Sequence, residues 1–205
     1  MNPSQSATSD RRPIIVAVTG ASGGPYAVRL IQELVIAQRQ ISLIVSSHGL
    51  RLLRTETELT SVDDLRELIG GDMWDRVVTV HDDDDRGAAP ASGSARAVGM
   101  VICPCSMGTV SAIAHGSSRS LIERAADVML KERRPLILVP RETPLSSVHL
   151  ENLLKLSRDG VVVLPAAPGF YNRPATIDAL IDFVVARILD HLEVEHKLGI
   201  RWGEQ

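Results

Sequence analysis

The most informative segment of the chain is Ile14–Pro25, which reads IIVAVTGASGGP. Its unbroken aliphatic run is typical of a buried parallel β-strand, because such a strand is covered on both faces. A glycine-rich turn follows the run, and Pro25 suits the first turn of a helix. The segment therefore predicts a strand, a tight loop and a helix, which is the opening unit of a doubly wound α/β sheet.

The same alternation continues along the chain. The predicted strands are Ile14–Val18, Ile41–Val45, Val77–Val80, Val98–Cys103, Leu136–Val139 and Val161–Leu164. The predicted helices are Pro25–Gln38, Val62–Ile69, Ser106–Ala114, Leu121–Glu132, Ser146–Ser157 and Thr176–Leu192. We therefore expect one α/β domain over residues 13–205, with a parallel sheet, after a polar, disordered arm of residues 1–12.

Composition narrows the function before any motif is considered. The chain has 205 residues, a net charge of −3 and only two each of Trp, Tyr and Phe. Nucleic-acid binding calls for excess positive charge or stacking aromatic rings, and the composition offers neither. Small-molecule chemistry is therefore the favoured class.

The two cysteines and the N-terminus bear on the compartment. Cys103 and Cys105 lie two residues apart, so on an extended segment they point the same way, and they are poorly placed for a disulfide. Two thiolates are also too few for a zinc site. The polar N-terminus lacks the apolar segment of a signal peptide. We expect reduced thiols in a cytoplasmic protein.

The loop Thr19–Gly24 is a candidate anion site. Glycine permits a close backbone approach, and helix-start amides with the Ser22 hydroxyl can donate to phosphate. The spacing matches neither the Gly-x-Gly-x-x-Gly pattern of dinucleotide sites nor a P-loop. A tight turn with a serine cap is the alternative interpretation.

Two further loops favour a mononucleotide. The second strand ends in Ser46-Ser47-His48 and not in the acidic residue that holds the ribose of NAD. Hydroxyl groups suit a terminal phosphate, as in FMN, although Ser46 could be only a helix cap. The small residues of Cys103–Thr109 let a flat ring approach the backbone. A nucleophilic cysteine there is the alternative, but no neighbouring base or cation identifies a thiolate.

Charged side chains follow in the second half of the chain. Arg124, Asp127 and Lys131 share one face of a predicted helix, as a solvated ion-paired stripe or as an anion site. Arg141 and Glu142 follow an aliphatic strand, where the cation can grip phosphate and the acid can transfer a proton.

The last loop, Pro165–Pro174, places Tyr171 beside a cation, and Arg187 on the next helix is either a helix-edge charge or a cation that faces a pocket or a subunit partner. The histidines show no metal-binding spacing, and the run Asp82–Asp85 is more typical of a flexible acidic loop than of a cation site, so we predict no metal.

Taken together, several motifs closely resemble the UbiX-type flavin prenyltransferases. They are Gly20-Ala21-Ser22-Gly23, Ala91-Ser92-Gly93-Ser94, Cys103-Pro104-Cys105-Ser106, Leu121-Ile122-Glu123-Arg124-Ala125-Ala126-Asp127-Val128, Lys131-Glu132-Arg133-Arg134-Pro135-Leu136, Arg141-Glu142-Thr143-Pro144 and Pro168-Gly169-Phe170-Tyr171. The similarity runs from Ile14 to about Trp202, with the motifs in the same order.

The resemblance implies a metal-independent prenyltransferase that joins the dimethylallyl group of dimethylallyl monophosphate to N5 and C6 of reduced FMN. The product, prenylated FMN, would serve a partner decarboxylase of the UbiD type, for example in ubiquinone biosynthesis. The resemblance also implies a flavodoxin-like, Rossmann-like three-layer sandwich. The assembly would be a homododecamer with active sites at subunit junctions.

Site residues follow from the resemblance position by position. The FMN contacts would be Gly20, Ala21, Ser22, Ser46, Ser106, Met107, Gly108, Thr109 and Arg141. The donor phosphate would be held by Ser92, Gly93, Arg124, Lys131, Tyr171 and Arg187, some from a neighbouring subunit. The catalytic positions would be Glu142, Ser22, Lys131 and Glu56. Such a set is physically sensible, because a departing phosphate needs cations and a proton donor.

One position departs from the family pattern. Arg86 stands in the loop where close relatives carry a tryptophan, so this loop offers no aromatic shielding of the allyl group. Trp202 is the remaining aromatic candidate for that role.

Two other functions stay open on the sequence. An FMN-dependent cysteine decarboxylase-like flavoprotein would oxidise a thiol and would need a different substrate clamp. A non-catalytic flavin carrier subunit would bind FMN without any need for Lys131, Glu142 or Arg187.

Overall fold

The computed structural model describes residues 12–199. The strands are β1 (Ile14–Val18), β2 (Ile41–Val45), β3 (Val78–His81), β4 (Gly99–Cys105), β5 (Leu136–Pro140) and β6 (Val162–Val163). The helices are α1 (Gly24–Ile36), α2 (Ser47–Glu56), α3 (Val62–Ile69), α4 (Gly71–Val77), α5 (Met107–Ala114), α6 (Leu121–Lys131), α7 (Ser147–Arg158) and α8 (Ile177–His191). Residues 1–11 of the predicted arm and Trp202 lie outside the described residues.

The strands form one parallel sheet in the order β3-β2-β1-β4-β5-β6. The predicted doubly wound α/β fold is thereby confirmed, and this strand order is that of Rossmann-like folds. The strand order reverses between β1 and β4, because β2 and β3 follow on one side of β1 whereas β4, β5 and β6 follow on the other. Ligands of such sheets bind at the carboxyl ends of the strands, in the crevice where the order reverses.

Two layers of helices cover the sheet because successive strand residues point to opposite faces. In β1, Ile14, Val16 and Val18 pack against the side of α1 and α8. Ile15 and Ala17 pack against the side of α5 and α6. Burial of each large aliphatic side chain contributes about 1.5–3 kcal/mol. Both faces are therefore apolar, which explains the unbroken aliphatic runs.

Two helices, α2 and α4, were not predicted from the sequence. In α2, Gly49 and Leu53 are the buried residues, and the rest of the helix is polar or partly exposed. Its apolar periodicity is too weak to reveal a helix, although Ser46 does cap it by accepting a hydrogen bond from the Gly49 amide at 3.0 Å.

The fourth strand runs two residues further than predicted and reaches Cys105. The expectation that its two cysteines point the same way is wrong. Cys103 packs in the layer of α1, whereas Cys105 packs in the layer of α5. The register of β4 against β5 shifts between Ile102 and Cys105, so the strict alternation of side chains is interrupted there.

Within residues 12–199, no helix has the length and apolar character needed to cross a membrane.

Candidate functional site

The loops after β1, β2 and β4 meet at the carboxyl edge of the sheet. The Thr19 hydroxyl donates to the carbonyl of Pro104 at 3.0 Å and accepts from the amide of Ser106 at 2.8 Å, which ties the first and fourth strand ends together. Ser46 donates through its hydroxyl to the carbonyl of Val18 at 3.2 Å. The sheet thus brings together three loops that lie far apart in the sequence.

Close packing at this edge explains why Gly20, in the predicted anion-binding loop, is a glycine. A Cβ at Gly20 would lie 2.6 Å from the Cβ of His48, at the start of α2. A side chain at that position would force the loop and the helix apart. Glycine is therefore needed here for the approach of two backbones.

A cavity of about 300 Å³ lies between these loops. This volume is at the lower end of small-molecule pockets, which span roughly 300–1,000 Å³. Hydroxyl-bearing side chains line it, namely Thr19, Ser46, Ser47, Ser106, Thr109 and Ser120. The lining is therefore rich in groups that can bind phosphate or a polar chain.

Helices α2 and α5 both begin at the cavity. Ser46 and Ser106 cap them, with hydrogen bonds from the amides of Gly49 at 3.0 Å and Thr109 at 3.2 Å. Each cap satisfies one amide of the first turn, and the earlier amides of that turn have no partner within the helix. Helix N-termini carry partial positive charge and favour phosphate. These residues fit the terminal phosphate of FMN.

The first turn of α1 already holds an anion from the chain itself. One oxygen of Glu56 accepts hydrogen bonds from the amides of Gly23 at 2.8 Å and Gly24 at 2.7 Å. Burial acts to raise the pKa of Glu56, but hydrogen bonds from Ser22, Gly23 and Gly24 and the charge of Arg141 together lower it. In this structure the helix-start amides that were predicted to receive a phosphate or another anion bind the carboxylate of Glu56.

Helix α6 also begins beside the cavity, but its first amides are taken. The carbonyl of Asp83 accepts from Leu121 at 2.7 Å, and its side chain accepts from Ile122 at 2.9 Å. The acidic run, expected to be a flexible loop, is thus anchored at Asp83. Arg119 and Glu123 pair at 2.8 Å on the cavity wall.

Sequence reasoning missed Asp83, Arg119 and Glu123 as cavity residues. One signal was available, because Ser120 followed three residues later by Glu123 is a helix-start pattern, and Ser120 does cap α6. The pattern gave the helix start, but the sequence does not reveal that this start lies against the ends of β2 and β4.

The loop after β5 joins the site through Arg141. Its Nε donates to the carbonyl of Ser22 at 3.3 Å, so Arg141 and Glu142 follow β5 beside the first loop. Glu142 is exposed, and its carboxylate accepts from the amide of Thr143 at 3.0 Å.

Three other predicted FMN positions differ in what they can offer. Ala21 and Met107 are buried and are not among the residues that line the cavity. Gly108 is exposed on the cavity wall.

The cysteines do not provide a nucleophile. Both are fully buried, and burial raises the pKa of each thiol far above its ordinary value. Each sulfur therefore stays a neutral thiol within the core. The alternative of a catalytic cysteine loses its physical basis.

Comparison with known proteins decides the family. The model of the Flavoprotein family matches residues 2–189. The chain is 51% identical over 193 residues to the flavin prenyltransferase UbiX of Halalkalibacterium halodurans, with 93% of each chain covered. The chain belongs to the UbiX family of flavin prenyltransferases.

Solved structures of UbiX-like proteins share this fold closely. A dodecameric FMN-dependent UbiX-like decarboxylase from Escherichia coli O157:H7 matches with a TM-score of 0.85 and 41% identity, over 93% of this chain and 98% of that one. AnUbiX (PadA1), solved in complex with FMN and dimethylallyl pyrophosphate, matches with a TM-score of 0.82 and 39% identity, over 93% of this chain and 100% of that one.

The donor-phosphate residues suggested by the UbiX resemblance do not gather at the flavin cavity in one chain. Helix α6 starts beside Asp83 at the carboxyl edge and ends at Lys131, shortly before β5 begins at the opposite edge. At roughly 1.5 Å per residue, its 11 residues span about 16 Å. Lys131 therefore lies at the amino edge of the sheet, away from Glu142.

Ser92 and Gly93 lie with Lys131 at this amino edge. A Cβ at Gly93 would lie 3.0 Å from the Lys131 ammonium nitrogen. The Ser92 hydroxyl is 2.8 Å from that of Ser94. On α6 itself, Arg124 pairs with Asp127 at 2.7 Å, as expected for an ion-paired helix face.

Tyr171 and Arg187 form a third group, on the outer side of α8. Both line a groove of about 580 Å³, and Arg187 pairs with Asp190 at 2.8 Å. The ring of Tyr171 meets Phe183 edge to face with centroids 5.8 Å apart. Arg187 is thus both ion-paired at the helix surface and directed along a groove.

Arg86 lies in the loop that Asp83 anchors, and its side chain is exposed. A larger groove of about 720 Å³ runs between α1, α8 and the segment after α2. None of the predicted site residues lines it.

Proposed function

We propose that this chain transfers the dimethylallyl group of dimethylallyl monophosphate to N5 and C6 of reduced FMN. The carbon–oxygen bond of the donor breaks, its allylic carbon bonds to N5 in place of the N5 proton, and inorganic phosphate leaves. The carbon–carbon double bond of the transferred group then takes up a proton and its other end bonds to C6, which releases a proton. The observation that carries the proposal is the hydroxyl-lined crevice at the switch point of a UbiX-family fold, where two helices begin and can offer their N-termini to one terminal phosphate.

FMN would be held by the loops that the fold brings to this crevice. The first-turn amides of α2 and α5, with the hydroxyls of Ser46, Ser106 and Thr109, would bind the phosphate and the ribityl chain. Gly20 and Ala21 would present backbone to the ring, and Arg141 would lie beside Ser22. When bound, reduced FMN supplies electron-rich N5 and C6 atoms to the reaction.

The remaining residues of the proposed site manage the charge of the donor. Arg124, Lys131 and Arg187 would balance the negative charge that develops on the departing phosphate. Glu142 would deliver a proton to it. Ser22 and Glu56, which lie together at the first loop, would hold a proton path there.

This site requires more than one copy of the chain. Lys131 and Glu142 lie at opposite edges of one sheet, and Arg187 lies on the outer side of α8. We propose a homododecamer in which neighbouring copies place these side chains beside the flavin. The dodecameric assembly of the E. coli UbiX-like protein supports this proposal.

The proposed product is prenylated FMN, and its proposed consumer is a UbiD-type decarboxylase, for example in ubiquinone biosynthesis. We place the protein in the cytoplasm, where buried thiols such as Cys103 remain reduced. The cysteine decarboxylase and flavin carrier alternatives are not favoured, because the chain is a close relative of flavin prenyltransferases.

The direct test is anaerobic incubation of the purified protein with reduced FMN and dimethylallyl monophosphate, followed by mass spectrometry of the released flavin. We expect flavin that carries one added dimethylallyl group. Recovery of unmodified FMN, while a known flavin prenyltransferase is active in parallel, would reject the proposal. Dimethylallyl diphosphate in a parallel reaction identifies the preferred donor.

Two variants separate flavin binding from turnover. Lys131→Ala and Glu142→Gln should retain FMN affinity within about twofold and lose at least about 100-fold in turnover, a loss typical of acid–base and charge-stabilising groups. Flavin titration by fluorescence and single-turnover kinetics measure the two effects. Loss of FMN binding in either variant would mean that the residue contacts the flavin and was assigned to the wrong pocket.

A further inference from the structure

Arg134 holds the loop that precedes β4. Its Nη1 donates to the carbonyl of Ala95 at 2.7 Å, and its Nη2 donates to the carbonyl of Gly93 at 2.6 Å. The side chain is only 19% exposed, so these hydrogen bonds are shielded from water. The planar guanidinium therefore fixes two carbonyls of one short loop at the same time.

The same loop lies directly against the end of α6. Lys131 pairs with Glu132 at 3.0 Å, and Glu132 also lies 3.9 Å from Arg134. The hydrogen bond and charge of Lys131, with a smaller effect from Arg134, lower the pKa of Glu132 despite the opposing effect of burial. Glu132 thus stays ionised between two cations.

Gly93 lies against the side-chain ends of this ion pair. A Cβ at Gly93 would overlap the Oε1 atom of Glu132 and would lie 3.0 Å from the ammonium nitrogen of Lys131. Absence of a side chain lets the loop backbone lie against the Lys131–Glu132 pair. The loop backbone is therefore next to the Lys131 ammonium group.

We propose that Arg134 is a positioning residue for the donor phosphate, acting through the Ser92–Ser94 loop and Lys131. This inference rests on the proposed function, in which Ser92, Gly93 and Lys131 bind that phosphate. Arg134 directs both of its Nη groups at backbone carbonyls, so it acts on the donor through the loop. It holds the loop in the geometry that binds the donor before the donor arrives, which lowers the ordering cost of binding.

The test compares Arg134→Met with Arg134→Lys and the wild type in anaerobic steady-state kinetics with dimethylallyl monophosphate. Arg134→Met should raise KM for the donor about tenfold or more, with kcat and FMN affinity within about twofold. Arg134→Lys should fall between the two, because one ammonium group does not reproduce the bidentate fork. An unchanged donor KM in Arg134→Met would overturn the proposal.

Arg133→Met is the matched control, since Arg133 is the adjacent exposed arginine and its loss removes the same charge. It should leave the donor KM unchanged, and an equal rise in both variants would mean that Arg134 acts only by charge. A fall in FMN affinity and melting temperature that parallels the KM effect would show a merely structural role and would also overturn the proposal.

Gly93→Ala provides a second, independent variant. Its Cβ would push Glu132 aside without touching Arg134, so we expect a rise in donor KM with unchanged FMN affinity. An unchanged donor KM in this variant would contradict the placement of the loop against Lys131. Wild-type activity in the same assay is required for each comparison, so failure of the proposed function is recognised separately.

Discussion

Glu56 shows at the scale of one residue why this crevice suits a mononucleotide. In Rossmann-like dinucleotide sites, the N-terminus of the first helix binds the pyrophosphate. Here the carboxylate of Glu56 accepts from the amides of Gly23 and Gly24 at that helix start. A phosphate at the same place would face a like charge. The N-termini of α2 and α5 remain available to bind a phosphate.

The ionised state of Glu56 makes a pH-dependent contribution to stability. Its pKa in the folded chain is lowered from 4.5, so its stabilising effect is complete above about pH 4.5 and is lost as the pH falls through the lowered pKa. Because the group is partly exposed, we expect Glu56→Gln to cost about 1 kcal/mol at pH 7, or roughly 2–4 °C in melting temperature.

Melting curves between about pH 3 and pH 7 measure this effect. The difference between wild type and Glu56→Gln should shrink towards zero at the acid end. Glu58→Gln, which alters an exposed glutamate two residues further on, should show no such difference at any pH. A Glu56→Gln effect that is constant with pH would contradict the assigned hydrogen bonds.

At the scale of elements, serine-capped helix starts form the polar wall of the cavity. Ser106 accepts from the Thr109 amide at 3.2 Å and lies 3.0 Å from the Thr109 hydroxyl. The cap on α3 has the same chemistry but lies elsewhere, since Ser61 accepts from the Asp64 amide at 3.1 Å. Removal of each cap in turn therefore distinguishes an effect on helix stability from an effect on ligand binding.

Ser106→Ala and Ser61→Ala should each destabilise the protein by about 1 kcal/mol, the usual cost of losing such a cap. Ser106→Ala alone should also weaken FMN binding, by about tenfold for one lost hydrogen bond to a charged group. Chemical denaturation and flavin titration give the two quantities. Equal FMN affinity in the two variants would exclude Ser106 from the flavin site.

At the scale of the whole molecule, the sheet separates groups that the proposed reaction needs together. Glu142 follows β5 at one edge, and Lys131 precedes β5 at the other. A cyclic or dihedral assembly can bring the edge of one copy to the opposite edge of the next. The active site is then shared between chains.

Mixed assemblies test this sharing. The Lys131→Ala and Glu142→Gln chains carry different tags, are coexpressed in equal amounts and are purified through both tags. If each site takes the two residues from different chains, these mixed assemblies should recover about a quarter of wild-type activity. Assemblies of either variant alone should be inactive. Mixed assemblies without activity would mean that both residues come from one chain.

Much of the fold was readable from local pattern. Aliphatic runs such as Ile14–Val18 and Leu136–Val139 predicted their strands within one residue, because a strand buried on both faces has no polar alternation. Helix α2 escaped prediction because tertiary contacts at Gly49 and Leu53 hold it and its apolar face is narrow.

The candidate site was likewise predictable from the sequence only in part. Hydroxyl-rich loops after aliphatic strands identified the residues around the flavin cavity, since strand ends of a parallel sheet share one edge. No local pattern could reveal that Glu56 fills the first helix start or that Arg134 holds Gly93, because these contacts join segments 32 or more residues apart. Local chemistry predicted which residues can bind an anion, and long-range packing decided which anion each one meets.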